Sequence, residues 1–295
     1  MKSLSHKKIF YPTPSRISLM SDKVLVTGAN GQLGRELQNL LPNAIFADRS
    51  TLDITNLDAV KNFVTNNHIE TIINCAAYTA VDQAENDFEL AKKINEDGPR
   101  NLALSGAKII HISTDYVFDG RHYKPYLPQD EVNPISAYGR TKQAGELAVL
   151  ENAKIAIIIR TAWLYSAHKN NFVKTMRRLG AERESLNVID DQIGSPTFAG
   201  DLAQAIVEIL PQIDKANRGI YHYTNEGVCS WYDFAIEIMS LSRLDCKISP
   251  IPSLAYPTKA TRPFYSVLDK TNIKETFNIK IPHWKESLAK CLKQF

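Results

Sequence analysis

A phenol and an ammonium stand four residues apart in Tyr138-Gly-Arg-Thr-Lys142, a spacing that puts both on one face of a helix, about a turn apart. A free phenol titrates at about pH 10 and exchanges protons poorly at neutrality, whereas a nearby lysine cation favours the phenolate and draws its pKa down. Upstream, Lys108-Ile-Ile-His-Ile-Ser113-Thr114-Asp115 reads as a strand ending in polar residues. At such a strand end Thr114 can donate its hydroxyl to a carbonyl oxygen that becomes an alkoxide as hydride arrives, with Tyr138 supplying the proton. Thr114, Tyr138 and Lys142 together make a candidate reductase site. The plainer alternatives are turn and capping chemistry for Ser113-Thr114-Asp115, and a surface helix for the Tyr-x-x-x-Lys pair.

A hydride source is suggested by Val24-Leu-Val-Thr-Gly28-Ala-Asn30-Gly31-Gln32-Leu33-Gly34-Arg-Glu-Leu, an apolar strand, a glycine turn and a helix start. Gly28 permits the tight turn, Gly31 brings backbone close to a pyrophosphate favoured by the free N–H groups of the helix start, and Gly34 lets the helix pack on the strand. The next strand ends at Asp48-Arg49, about 20 residues on, where an acidic side chain meets adenosine ribose hydroxyls. Asp48 favours NADH, while Arg49 and Arg35 suit a 2′-phosphate, so the cofactor is NADPH or NADH. Asp53-Ile54 follows at a spacing that brings it under the adenine, and Asp53 serves equally well as a helix N-cap.

These residues need a scaffold, and the sequence supplies one as buried-strand runs alternating with amphipathic stretches, the pattern of a parallel sheet covered on both faces. Strands are expected over 23–27, 44–47, 71–74, 108–113 and 155–160, with helices over 33–41, 57–66, 88–105 and 138–150. Beyond Arg160 the alternation weakens to helices over 172–179, 200–210 and 231–241 and strands over 187–189 and 219–223, before prolines 250, 252, 257 and 263 mark an irregular region. The expected fold class is α/β: a doubly wound parallel (Rossmann) sheet with a smaller, interleaved C-terminal substrate-binding lobe. Residues 23–165 form the dinucleotide-binding domain, with later contributions from about 186–223, and 166–295 are mainly the substrate lobe. Ligands are expected in the crevice at the carboxyl ends of the strands.

Composition sets bounds. The 295 residues are 44% hydrophobic and 23% charged, ordinary globular values, and the net charge of +3 with scattered lysines and arginines is too mild to point to nucleic acid. Cys75, Cys229, Cys246 and Cys291 are far apart and form no CxxC pair, which suggests neither zinc nor disulfides and a reduced, cytoplasmic setting. Residues 1–22 lack the apolar core of a secretory signal and are expected to be a disordered extension. No stretch is long enough for a membrane helix.

Several blocks closely resemble the dTDP-4-dehydrorhamnose reductases, in order from about residue 23 to the C-terminus. They are Thr27–Gly34, Asn74-Cys-Ala-Ala-Tyr-Thr-Ala-Val-Asp82, Ser113-Thr-Asp-Tyr-Val-Phe-Asp-Gly120, Tyr138–Lys142, Arg160-Thr-Ala-Trp-Leu-Tyr165, Asp190-Asp-Gln-Ile-Gly-Ser-Pro-Thr197 and Ala260-Thr-Arg-Pro263. The resemblance implies hydride transfer from a reduced nicotinamide to C4 of dTDP-4-dehydro-β-L-rhamnose, completing dTDP-L-rhamnose for surface polysaccharide. Under it, Gly31, Gln32 and Leu33 cradle the cofactor pyrophosphate, Ala76, Ala77 and Thr79 line its path, and Tyr138 is the proton donor. Lys142 holds the cofactor ribose and tunes Tyr138, Thr114, Asp115 and Trp163 contact the sugar, and Arg262 meets the nucleotide diphosphate. Some family members form a magnesium-bridged dimer through two acidic residues. Glu36 matches the first, but Gly200 stands at the second and Asp201 is displaced by about 100 degrees around the helix, so no metal is expected and the chain is read as monomer or homodimer. Alternatives of other classes are a reductase of another 4-keto-6-deoxy nucleotide sugar, a nucleotide-sugar epimerase, and a non-catalytic NADP-binding subunit like the regulatory subunit of methionine adenosyltransferase.

Overall fold

The computed structural model describes residues 23–295, and the expected N-terminal extension lies outside the described residues. Strands β1 (Val24–Thr27), β2 (Ile45–Ala47), β3 (Thr71–Asn74), β4 (Lys108–Thr114) and β5 (Ala156–Thr161) come first. Strands β6 (Leu164–Tyr165), β7 (Ser185–Ile189), β8 (Ile193–Gly194) and β9 (Thr197–Phe198) follow, then β10 (Gly219–His222), β11 (Cys229–Ser230) and β12 (Lys247–Ile251). Six of these make one all-parallel sheet in the order β10-β5-β4-β3-β1-β2. The chain leaves β1 in one direction to form β2 and returns on the other side as β3. The strand order therefore reverses beside β1, and the crevice opens over its carboxyl end.

Both faces of this sheet are covered, which is why its strands read as continuous apolar runs. Val24, Val26, Ile73, Ile110 and Ile157 pack against Leu33 and Leu37 of the helix Gln32–Leu40, Leu202 and Ile206 of Ala199–Ile209, and Ile273 of Thr271–Phe277. Leu25, Ile72, Ile109 and Ile158 point the other way, onto Val60 and Val64 of Leu57–Asn66, Leu102 of Gly98–Ala103 and Val149 of Ala137–Asn152. Each isoleucine sealed this way contributes roughly 1.5–3 kcal/mol, so the two layers fix the strand ends on which the site is built.

The single helix expected over 88–105 is instead three pieces, Phe88–Lys92, a π turn at Lys93–Asp97, and Gly98–Ala103. Pro99 has no N–H to give the ladder. In the widened turn the buried Asn95 accepts from the Tyr78 N–H at 2.8 Å and donates to the Tyr78 carbonyl and to Thr141, at 3.1 Å each. The departure from a regular helix thus pins the loop after β3 to the Ala137–Asn152 helix.

A second core holds Val173 of the helix Phe172–Glu182, Phe234 and Ile238 of Trp231–Ser242, and Trp284 and Leu288 of Trp284–Leu292. Strand β7 belongs here and not to the main sheet: it pairs parallel with β12, Leu186 opposite Ile248, and both are buried in this core. The later residues that return to the main sheet are β10 and the helices Ala199–Ile209 and Thr271–Phe277. Among the described residues no helix is long and apolar enough to cross a membrane.

Candidate active site

The turn after β1 has the left-handed backbone expected of it. Gly28 has φ of 71°, and a Cβ there would lie 2.6 Å from the Cys75 carbonyl carbon, so any side chain would push the loop after β3 away. Gly31 is the N-cap of the Gln32–Leu40 helix, and no side chain caps the first turn, which leaves its N–H groups facing the crevice for an anion. Leu33 is buried under the loop, and Gly34 packs against the Gly28 carbonyl. The Gln32 side chain is anchored across the crevice: its amide nitrogen donates to the Leu164 carbonyl at 3.2 Å, and its oxygen accepts from Ser166 at 3.1 Å and Asn171 at 2.9 Å. Ala76, Ala77 and Thr79, following β3, line the facing wall, and Ile54 closes the far end.

At that far end Asp48 is tied into its own turn. One oxygen accepts from the Ser50 N–H and hydroxyl at 2.9 and 2.6 Å and from the Thr51 N–H at 3.1 Å, and the other accepts from Asn30 at 2.5 Å. These bonds, led by the Ser50 hydroxyl, hold its carboxyl below the ordinary range. Arg35 donates to the neutral Asn30 and Gln38, and Arg49 has no hydrogen-bond partner among the described residues. Asp53 caps Thr55, while the N-cap of the following helix is Asn56.

The strand β4 and the Ala137–Asn152 helix bring the three candidate catalytic groups together. Ser136 caps that helix by accepting from the Gly139 N–H at 3.1 Å, and a side chain at Gly139 would overlap the Tyr116 carbonyl, so only glycine lets the helix lie this close to the end of β4. Tyr138, Lys142 and Glu146 then form one stripe facing the sheet. The four-residue spacing predicts that Lys142 lowers the phenol, and the structure differs. Burial pushes Tyr138 up to about 12, against the pull of the adjacent Thr114 hydroxyl, while the Lys142 ammonium donates to the Ile112 carbonyl at 2.6 Å. The phenol is therefore protonated at neutrality, the form an acid catalyst needs. Burial lowers Lys142 to about 8, opposed by Glu146. Turnover is expected to fall as pH rises through about 8 and this cation is lost; a kcat constant from about pH 7 to about pH 10 would show that the charge plays no part.

Asp115 is buried beside Thr114, whose hydroxyl donates to it at 3.1 Å. Its Oδ2 accepts no hydrogen bond among the described residues, and burial raises its pKa to about 6 against the pull of the nearby Ser266 hydroxyl. Across from it Trp163 holds a left-handed backbone, φ 49°, and its ring stacks on Trp231 at 3.6 Å with 12° between planes. A bulky residue in that conformation persists only when its surroundings enforce it, here the Trp231 ring and Gly194, whose added Cβ would lie 2.9 Å from the Trp163 ring. Arg262 is the expected site residue that the structure leaves out of the cleft lining: its guanidinium is engaged by Asp82. Sequence reasoning missed Tyr116, edge-on to Tyr138 with centroids 5.5 Å apart, and Trp231. Tyr116 could have been found one residue beyond Thr114-Asp115, whereas nothing local to Trp231, the first residue of its helix, marks it.

Of the acidic residues weighed for a metal, Asp201 is engaged inside the chain, accepting from Ser287 at 2.5 Å, Asn225 at 2.9 Å and Lys290 at 3.2 Å. Glu36 is buried facing Gly200, and burial raises its pKa.

Thr114, Asp115, Tyr138, Lys142 and Trp163 share one cleft of about 840 Å³ with the glycine loop. A parallel sheet with its strand order reversed at a glycine turn, and a Thr/Tyr/Lys set at the carboxyl end of β4, define an extended short-chain dehydrogenase/reductase. The chain belongs to the RmlD substrate-binding-domain family, whose profile matches residues 22–295. It is 40% identical over 284 residues to the dTDP-4-dehydrorhamnose reductase of Aggregatibacter actinomycetemcomitans, covering 90% of this chain and 97% of that one. It is also 40% identical over 280 residues to the dTDP-4-keto-6-deoxy-D-glucose reductase of Streptomyces niveus, covering 92% and 96%. Among solved structures, the dTDP-4-dehydrorhamnose reductase of Bacillus anthracis in complex with NADP superposes with a TM-score of 0.89 at 41% identity, covering 93% of this chain and all of that one.

Proposed function

We propose that this protein is an NAD(P)H-dependent dTDP-4-dehydrorhamnose reductase, which reduces the C4 keto group of dTDP-4-dehydro-β-L-rhamnose to give dTDP-L-rhamnose. The observation that carries the reading is the convergence of Thr114, Tyr138 and Lys142 on one cleft with an uncapped helix start behind the glycine loop. The nicotinamide cofactor supplies the hydride. Gly31, Gln32 and Leu33 hold its pyrophosphate end, and Ala76, Ala77 and Thr79 hold its flank. The Thr114 hydroxyl, turning from Asp115, donates to the carbonyl oxygen as negative charge builds there, and the Tyr138 phenol passes its proton to the alkoxide. Lys142 offsets the phenolate left behind, and the free Oδ2 of Asp115 accepts a sugar hydroxyl. The test is a coupled assay in which the preceding dehydratase and epimerase generate the keto sugar and NADPH absorbance is followed. Stoichiometric cofactor consumption supports a reductase. Interconversion of sugars with none consumed makes the chain an epimerase, and cofactor binding without turnover makes it a binding module. A second reading, reduction of another 4-keto-6-deoxy sugar nucleotide, is favoured by the Streptomyces niveus relative and is decided by comparing kcat/KM for the two keto sugars.

The adenosine end supports NADPH over NADH. Asp48 has both oxygens engaged, and the two guanidinium groups beside it carry N–H donors not used by any acid, which suits a 2′-phosphate. NADPH is expected to bind roughly tenfold tighter than NADH, and Arg49→Ala to remove most of that difference while leaving NADH affinity unchanged. Fluorescence titration checks this, and equal affinity of the wild-type chain for both cofactors would refute it.

A further inference from the structure

Residues 258–266, which carry the last proline of the irregular region, connect the helix after β3 to the backbone beneath the Trp163 ring. At one end, Asp82 sits in the short helix Val81–Ala84, whose first residue lines the cleft. Its carboxylate accepts from Arg262 Nη2 at 2.7 Å and Nη1 at 3.1 Å, and from the Ala260 N–H at 3.0 Å. Arg262 Nη1 also donates to the Ala260 carbonyl at 3.2 Å, and Lys259 donates to Asn86. At the other end the Tyr265 N–H donates to the Gly120 carbonyl at 3.2 Å, the Ile193 N–H to the Phe264 carbonyl at 2.7 Å, and the Ser266 N–H to the Ile193 carbonyl at 2.8 Å. There the segment meets the reacting face: Ser266 is buried beside Asp115, and its hydroxyl would lie 3.0 Å from a Cβ added to Gly194, the residue under the Trp163 ring.

One carboxylate therefore anchors the near end of a strap whose far end packs behind the Asp115 and Trp163 wall of the cleft. The Asp82 and Arg262 side chains are 46% and 22% exposed, and an ion pair that open to water adds little to global stability. What it does supply is geometry, because a bidentate carboxylate–guanidinium pair fixes orientation as well as distance. We propose that Asp82 is a positioning residue for the substrate half of the cleft. It fixes residues 259–262, so that Ser266 and the wall formed by Asp115 and Trp163 hold their places. Asp82 and Arg262 act through the strap, not on the reacting atoms. The inference rests on the reading of this cleft as a sugar-nucleotide reductase site.

The test measures keto-sugar KM, kcat and NADPH affinity for Asp82→Asn, Arg262→Gln, the double variant and Asp82→Glu. Each single variant is expected to raise the sugar KM roughly tenfold, with kcat within about threefold of wild type and NADPH affinity unchanged. The double variant is expected to be no worse than either single one, since both remove the same clamp, and Asp82→Glu to recover most of the loss. An unchanged or lowered KM in Asp82→Asn, additive losses in the double variant, or a parallel fall in cofactor affinity would overturn the proposal. A wild-type chain that turns over no keto sugar would overturn the functional reading first, and this proposal with it; an active wild type beside a normal Asp82→Asn would overturn the proposal alone.

Discussion

Tyr138→Phe is expected to lower kcat by roughly a hundred- to ten-thousandfold. The substitution removes one oxygen and keeps the ring, so the edge-on packing against Tyr116 and the Ser136 cap of the helix are retained. Cofactor affinity should therefore stay within about twofold of wild type, because the loss falls on a step that occurs after binding. The phenol is a workable acid although burial holds it at about 12: the alkoxide it meets is a stronger base, and Thr114 and Lys142 line the same cleft. Steady-state rates in the coupled assay, read beside a fluorescence titration with NADPH, check both halves. Retention of more than about a tenth of the turnover would mean that the proton comes from another group.

Glu146→Gln is expected to destabilise the fold by about 3–5 kcal/mol, the range for breaking a buried pair from one side. Glu146 and Arg160 are each 2% exposed, and the carboxylate accepts from Arg160 Nη2 at 2.7 Å, Arg160 Nε at 2.8 Å and the Ser113 hydroxyl at 2.5 Å. Arg160 also donates to the Pro128 carbonyl at 3.2 Å and lies 5.0 Å from the Phe118 ring centroid. Neutralising the acid leaves a guanidinium that cannot lose its proton enclosed among apolar groups. This cluster braces the helix carrying Tyr138 and Lys142 against β4 and β5, so the cost should appear in activity too, as heat lability. Urea unfolding midpoints provide the measurement. A loss below about 1 kcal/mol would mean that water reaches the pair.

Much of the sheet was legible because a strand buried on both faces has to be apolar at nearly every position, as Ile72–Ile73 and Ile157–Ile159 are. Similarly, the glycine turn announces itself because Gly28 occupies a backbone region that other residues avoid. Spacing along the helix correctly puts Tyr138 and Lys142 on one face. Spacing alone, however, carries no information about where an ammonium is bonded, and Lys142 is held by the Ile112 carbonyl, thirty residues away in the chain. Asp48 stands where a ribose acceptor is expected, and the sequence carries no sign that the Ser50-Thr51 turn after it takes up one of its oxygens. The break at Lys93–Asp97 was hidden because Gly98-Pro99 also suits the first turn of a helix, and only the contact of Asn95 with Tyr78 and Thr141 decides for a widened turn. Tertiary partners decided Trp231 and β7 as well, since the strands beyond β5 pair across long stretches of chain, β7 with β12 and β6 with β9.

The sixth strand of the main sheet arrives late. Gly219–His222 lies against Ala156–Thr161 only after the chain has passed through β6 to β9 and the Ala199–Ile209 helix. During synthesis the sheet formed by β1 to β5 therefore waits with one open flank, a row of bare peptide groups beside Ile157 and Ile159 that invites other chains to pair with it. A cut made after residue 165 would make that waiting state permanent. The two halves are thus best regarded as a single heritable unit, inseparable by truncation even though they have distinct interiors.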